Sequence, residues 1–467
     1  MRRSKFLTDM FTDRVFFATL FTIGWPIALQ HGLVTALNLL DTLMVGQLGE
    51  VQIGSVALGN QIFFLVMLFL FGIGSGSAVF VAQYWGKRDI PGIRRSLGLA
   101  MLIAIPGSLI AAAVVTAVPA FLLGLFTMDD EVIALGIGYV RMVAPSYLFT
   151  ALTVVLGSAL RASGEVRLPL RMTVIALGIN ALLNYVLIFG VGPFPALGVL
   201  GAAVGTTVSR GLEAGLLIGA MIRRKHPLVG PFRDYLATTR ALTRRFLTIT
   251  SPVVINEILW SGGMTMYTLV YARMGTAQLA ASNIAETVIR LTFVVFMGSA
   301  GAAAVILGND IGAGSTGKAS RDAHRFIILA PLFGVGFGLL LAAVSPLVPL
   351  FYQVSDSVRN DVTRMLLVIA CVVPIKSLNL HGVVGIMRSG GDTRFAMVTE
   401  GVMLWGLGVP LAAVTGLVLG WPIYLVLAVV QVEEIGKFIL IVRRVITGRW
   451  IHQVTDHDDL AVDAISA

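Results

Sequence analysis

A single cysteine, Cys371, stands in a chain of 467 residues. One thiol excludes an internal disulfide framework, and the few histidines fall nowhere with zinc-ligand spacing. Charge is scarce as well. Only 13% of the residues are Asp, Glu, Lys or Arg, against about 25% in soluble domains. No Ser–His–acid set, Walker loop or Gly-rich dinucleotide turn is present. The stretch "GIGSGSA" (Gly72 to Ala78) imitates a glycine loop, but it lies inside an apolar run with no strand before it. These absences argue against an enzyme and against a resident cofactor.

What fills the chain instead is hydrocarbon: 57% of the residues are hydrophobic and the mean hydropathy is +0.88. Such a chain has too little polar surface to cover itself in water, so the sequence predicts an all-α integral membrane protein. The net charge of +9 invites a nucleic-acid reading, but its distribution fits orientation in a bilayer better. Arg2, Arg3 and Lys5 resemble the start of a signal peptide. Asp9, Asp13 and Arg14 interrupt it, and the apolar run that follows is long and closed by no cleavage site. That run is read as the first spanning helix.

A span needs about 20 largely apolar residues. Twelve stretches qualify, near 15–45, 53–82, 96–120, 132–158, 168–190, 197–221, 248–272, 279–307, 326–350, 361–386, 395–418 and 421–442. Most of the 34 Lys and Arg fall in alternate loops. These groups are the N-terminal tail; Lys87 to Arg95; Arg161, Arg167 and Arg171; the run from Arg223 to Arg245; Lys318 to Arg325; Arg388 and Arg394; and Lys437 to Arg449. The intervening loops, such as "GQLGE", "TMDDE" and "LGWP", hold none. Basic residues stay on the cytoplasmic side during insertion. The expectation is a multi-pass protein of the cell (inner) membrane with both termini in the cytoplasm.

The chain also repeats itself. Pro26 and Pro252, Gly49 and Gly275, Gln83 and Asn309, and Gly86 and Gly312 share one offset of 226 residues. "LRASGEVR" (Leu160 to Arg167) and "MRSGGDTR" (Met387 to Arg394) follow at 227. Two six-helix bundles inserted in the same sense are expected, pseudo-symmetric about the membrane normal and working around a central cleft. The expected boundaries are 1–221 for the first bundle, 222–247 for a basic cytoplasmic linker, 248–446 for the second bundle and 447–467 for a disordered tail.

Polar residues inside the spans point to function, because a charge at mid-bilayer costs about 2.5–3.5 kcal/mol on insertion scales. In the first span His31, Thr35, Asn38 and Thr42 share one helical stripe, flanked by Gln30 and Asp41. In the seventh, Glu257, Ser261, Met264 and Thr268 do the same, with Trp260 beside them. At the repeat offset Glu257 matches His31 and Tyr267 matches Asp41, so the halves share a frame but not their ionisable groups. The fifth span adds Asn180 and Asn184, one turn apart. The tenth adds Lys376, Asn379 and His381, with Lys376 a candidate counter-ion for Glu257. Glu286 and Arg290 stand at i and i+4 and neutralise each other. Arg210, Glu213 and Glu400 are read as snorkelling from helix ends. His31 and His381 also fit hydrogen-bonded structural roles. Asp41 and Glu257 are thus the coupling candidates. Gln30, His31, Thr35, Asn38, Trp260, Ser261, Met264, Lys376 and Asn379 are the candidates for the substrate cleft.

The ordered stretches "VGQLGEVQIGSVALGNQI", "VAQYWGKRD", "LRASGEVRLPL", "INALLNYVLIFG", "PALGVLGAAVGTTVSR" and "MRSGGDTRF" resemble the multidrug and toxic compound extrusion (MATE) family, from the first span to the twelfth. The first-span aspartate resembles its DinF-type branch more than its NorM-type branch. The resemblance implies two six-helix bundles in a V and secondary active export of organic cations or amphiphilic drugs, driven by inward H+ or Na+. It also implies a coupling site formed by Asp41, Asn180 and Asn184. Several relatives carry aspartate where this chain has Asn184, which weakens the case for sodium there. Glu257 lies in the helix that serves the second bundle's ion site in NorM-type relatives. The tenth span, however, offers Lys376 in place of an aspartate. Na+ is therefore considered at Asp41 or Glu257, with no firm metal site. A lipid-linked oligosaccharide flippase of the same superfamily is the alternative, since Lys376 and Arg290 would suit a pyrophosphate. The expected partners are small cationic or amphiphilic molecules and the bilayer, with no nucleic acid and a monomeric state.

Overall fold

The structure is a computed structural model and describes residues 12–455. The basic residues Arg2, Arg3 and Lys5 and the stretch from residue 456 onward lie outside the described residues.

Each of the twelve expected spans is helical. The first three are Arg14–Gly46, Glu50–Lys87 and Ile90–Ala117. The fourth bends by 51° between Asp130–Val143 and Ser146–Ala162, where Pro145 removes a backbone donor. The fifth to ninth are Arg167–Phe189, Val199–Arg223, Arg240–Met274, Thr276–Gly312 and Thr316–Val344. The tenth, Asp356–Leu380, runs on through a π-helical turn at His381–Met387. The eleventh starts at Thr393–Met403 and contains π-helical turns at Leu404–Gly408 and Val414–Val418. The twelfth is broken at Gln431 into Ile423–Val430 and Val432–Ile446. Among the described residues eight helices are long and apolar enough to cross a membrane, or nine if the bent pair is one span. The sixth, seventh and twelfth complete the set, and they carry ionisable residues that the sites below use. Large apolar side chains such as Phe21, Leu43, Phe121, Leu182 and Leu339 are exposed on the protein, as expected where lipid replaces water.

Local chemistry sets the helix starts. Asp89 accepts the Gly92 amide (2.8 Å) ahead of the third span. Asp129 accepts the Glu131 and Val132 amides (3.0 and 3.2 Å) ahead of the fourth, which gives the acidic "TMDDE" loop a capping role. Gly49 and Gly275, equivalent in the repeat, hold φ of 131° and 142° at the turns into the second and eighth spans, a conformation that favours glycine.

The chain folds into two compact units, and they do not coincide with its two halves. One comprises Leu29–Val254, the other the residues up to Ala28 together with Ile255–Ala467. The two crossing points obey the repeat: Ala28 and Val254 are 226 residues apart, each two residues past the proline of its helix. The contacts obey it too. In the C-terminal unit, a Cβ on Gly298 would meet Ala28 and the Gly24 carbonyl. In the N-terminal unit, a Cβ on Gly72 would meet Val254, and one on Gly76 would meet Thr250. Gly72 and Gly298 are themselves equivalent. Small residues on the second and eighth spans thus receive the opening turns of the seventh and first spans, as small faces in membranes do.

The segment expected as a linker, 222–247, is folded. Phe232–Leu236 is a short helix. Arg94 of the third span pairs with Asp234 (2.8 Å) and donates to the carbonyls of Pro227 and Val229 (3.0 and 2.8 Å). From Arg240 the chain is already in the seventh span. The expected disordered tail is likewise ordered as far as Thr455. Trp450 is fully buried, Ile451 bridges to Gly391, and the His452 amide donates to the Gly390 carbonyl (2.8 Å). A large aromatic placed four residues past the last helix buries enough apolar area to hold the segment down.

Candidate functional site

In the N-terminal unit the expected group forms. Asp41 Oδ1 accepts a hydrogen bond from Asn184 Nδ2 (2.8 Å), and the same amide reaches Asn180 Oδ1 at 3.4 Å. Both asparagines are buried and Asp41 is half-buried. The one-turn spacing of Asn180 and Asn184 sets them one above the other on the fifth span. The sixth span passes so close at Gly205 that an added Cβ would strike Asn184 Oδ1. Among the described residues no cationic side chain is bonded to Asp41. The charge of Arg210 acts on it through space, and that guanidinium is itself held by Glu213 at 3.1 Å.

A second polar line lies in the same unit. Gln30 Nε2 donates to Thr173 Oγ1 (2.8 Å), and Thr173 Oγ1 donates to Glu213 Oε1 (2.8 Å). Glu213 was expected to snorkel from a helix end. It is instead 7% exposed in the middle of the sixth span, where Thr173 and Arg210 satisfy it. Thr35 and Thr42 return their hydroxyls to the carbonyls of His31 and Asn38 in their own helix (both 2.9 Å). His31 is half-buried and Asn38 exposed.

The C-terminal unit differs from expectation. Glu257 is not paired with Lys376. Its carboxylate takes a hydrogen bond from Arg388 at 2.5 Å, with both groups buried. Arg388 belongs to the "MRSGGDTR" motif, which follows the tenth span. Lys376 instead meets Glu434 of the twelfth span (3.2 Å), and Asn379 donates to Glu434 Oε2 (2.7 Å) and to its backbone carbonyl (2.9 Å). Lys437 completes the group. It bonds Glu400 at 2.9 Å and Glu434 at 3.4 Å, and lies 3.7 Å from Glu433.

Read from the sequence, Lys437 belonged to a cytoplasmic basic loop and Glu400 to a helix end. Both are buried, because the twelfth span continues past Lys437 to Ile446. The signal was legible: two adjacent acids followed at i+3 and i+4 by a lysine, inside an apolar stretch. His381 is buried between Ser299 (2.8 Å) and the Ser377 carbonyl (2.7 Å), a satisfied structural group. Met264 packs on the apolar core of this unit, Ser261 is half-buried and Trp260 largely exposed. Glu286 and Arg290 pair at 2.7 Å on an exposed face.

A helical membrane protein with two such units, each enclosing buried ionisable groups between its spans, has the makings of a transporter. The comparisons agree. The MatE family model matches residues 26–186 and again 252–414, two copies that begin at the equivalent prolines. A probable multidrug resistance protein NorM of Rhizobium meliloti (strain 1021) is 31% identical over 391 residues, covering 80% of this chain and 81% of that protein. The uncharacterized transporter YisQ of Bacillus subtilis (strain 168) is 25% identical over 452 residues, covering 94% and 96%. Among solved structures, a mutant of the Vibrio cholerae MATE transporter VcmN superposes with a TM-score of 0.85 at 17% identity, covering 94% of this chain and 98% of that one. A MOP superfamily transporter from Pyrococcus furiosus, described as having a binding pocket of reverse polarity, gives 0.81 at 18% identity, covering 92% and 94%. The chain belongs to the MATE family and has its two-lobe, all-helical fold; it is a transporter and not an enzyme.

Proposed function

We propose that this protein is a secondary active multidrug exporter of the cell (inner) membrane. It acts as a monomer with both termini in the cytoplasm, and it exchanges organic cations or amphiphiles for inward-moving protons. The observation that carries this reading is the setting of Asp41. A fixed guanidinium or amine would lock a buried carboxylate in one charge state. Asp41 is bonded instead by the neutral amide of Asn184 (2.8 Å), so it can take and lose a proton without breaking an ion pair. Ionised, it attracts a cationic substrate; protonated, it releases it. One proton moving down the membrane potential gains about 2.3 kcal/mol per 100 mV. A monovalent cation leaving in its place costs the same, so one-for-one exchange is driven by the pH gradient. The potential contributes only for a neutral substrate or for more than one proton per cation.

Sodium at Glu257 would have to displace Arg388, and Asn184 adds an amide where a second carboxylate would favour the ion. Both features favour protons. The flippase alternative rested on Lys376 and Arg290. These are neutralised by Glu434 and Glu286, so neither offers a free charge to a pyrophosphate. The test is transport of ethidium by purified protein in liposomes, with proton and sodium gradients imposed separately. A proton gradient alone is expected to drive accumulation, and Asp41→Asn to abolish it. Accumulation by that variant against a gradient would refute the assignment.

A further inference from the structure

The C-terminal unit holds three buried carboxylates, Glu400, Glu433 and Glu434, against two buried or half-buried ammonium groups, Lys376 and Lys437. Fully ionised, the group carries one uncompensated negative charge in a membrane interior, where unpaired charge is costly. The bonds say which acid is left over. Glu434 is held by Lys376, Lys437 and Asn379, and Glu400 by Lys437 at 2.9 Å. Glu433, only 2% exposed, has Lys437 at 3.7 Å from one oxygen, and its Oε2 has no hydrogen-bond partner among the described residues. The buried hydroxyl of Tyr267 also lacks a partner. It converges with Glu433 Oε2 on the bare side of Gly408, where no Cβ would fit.

Tyr267 stands at the repeat position of Asp41. Where the N-terminal unit carries its acid on the first span, the C-terminal unit has a phenol there, and the acid faces it from the twelfth span. The backbone around the group is irregular. A π-helical turn ends at Gly408, another begins at His381 just past Asn379, and the twelfth span breaks at Gln431. Such turns concentrate at functional sites. The spans of the N-terminal unit equivalent to the tenth and eleventh, Ser146–Ala162 and Arg167–Phe189, are α-helical.

We infer that Glu433 is a second exchangeable-proton site, separate from Asp41, with Tyr267 and the Lys376–Glu434–Lys437–Glu400 network as its positioning groups. The inference rests on the proton-driven export proposed above. A proton arriving at Glu433 Oε2 brings the group to neutrality, and its departure leaves a carboxylate facing the Tyr267 hydroxyl and Lys437. Other titratable groups facing this pair are Tyr271 of the seventh span and, through Tyr271, Glu286 of the eighth.

The test is an infrared pH titration of the purified full chain, following the carbonyl band of protonated buried carboxyls. Glu433→Gln is expected to remove one carboxyl's share of that band, and Asp41→Asn a different share, so the two sites are read independently. Tyr267→Phe, which removes the hydroxyl dipole that faces the ionised form, is expected to move the Glu433 component to higher pH. A band unchanged by Glu433→Gln overturns the inference while leaving the Asp41 reading intact. Should Glu433→Gln not yield folded protein, the Tyr267→Phe titration decides alone, and an unmoved midpoint overturns it.

Discussion

At the scale of single residues, what matters is which groups meet. Asn184 is poised because the sixth span comes within touching distance at Gly205, with no side chain in the way. An alanine there would push against Asn184 and loosen its 2.8 Å bond to Asp41. Gly205→Ala is expected to keep the fold but cut proton-driven ethidium transport at least tenfold, measured in liposomes beside a thermal melt in detergent. Unimpaired transport would show that Asn184 does not position Asp41. Glu257 gives the opposite case: the Arg388 guanidinium lies at 2.5 Å, so its carboxylate is met by a buried cation and not by a neutral amide. Removing one partner of such a buried pair costs about 3–5 kcal/mol.

At the scale of elements, the "MRSGGDTR" turn shows how a short motif fastens several helices. Arg388 reaches the seventh span, while Asp392 holds Arg444 through two bonds (2.7 and 3.1 Å) and His452 at 3.8 Å. Burial pushes the Asp392 carboxyl up, but the nearby His452 ring and the hydrogen bonds from Arg444 outweigh it and hold the group below its usual value of 3.8. A group depressed in the folded state stabilises the fold above its unfolded value, and that contribution is lost as pH falls through the folded one. Asp392→Asn should therefore cost about 2 kcal/mol at neutral pH. The difference in melting temperature from the parent should narrow once the pH drops below about 4. A gap independent of pH would mean that the clamp acts through shape and not charge.

At the scale of the whole molecule, the first and seventh spans each belong to both units. Their membership changes two residues after Pro26 and Pro252, where the proline ring removes a backbone hydrogen bond and softens the helix. Replacing Pro252 by alanine restores that donor. Thermal stability is expected to hold or rise slightly, while the rate of ethidium export falls several-fold with little change in apparent affinity. A rate equal to the parent's would remove the seventh span from the transport motion.

The sequence alone determined the solvent, the number of spans and their duplication. These follow from residue type and spacing along the chain: twenty-odd apolar residues demand a helix across the bilayer, and a constant offset between matching residues demands a repeated frame. The Asp41–Asn180–Asn184 group was implied by the family resemblance: the spacing shows only that two of its members are one helical turn apart and that the third flanks a polar stripe on another helix. The tertiary structure decided which opposite charges meet. Glu257 with Arg388, Lys376 with Glu434, and Lys437 with Glu400 are separated by 131, 58 and 37 residues, and no periodicity encodes such pairings. The exchange of the opening turns of two helices was equally hidden. It depends on small residues of distant spans fitting face to face, and a linear pattern records that a face is small but not what lies against it.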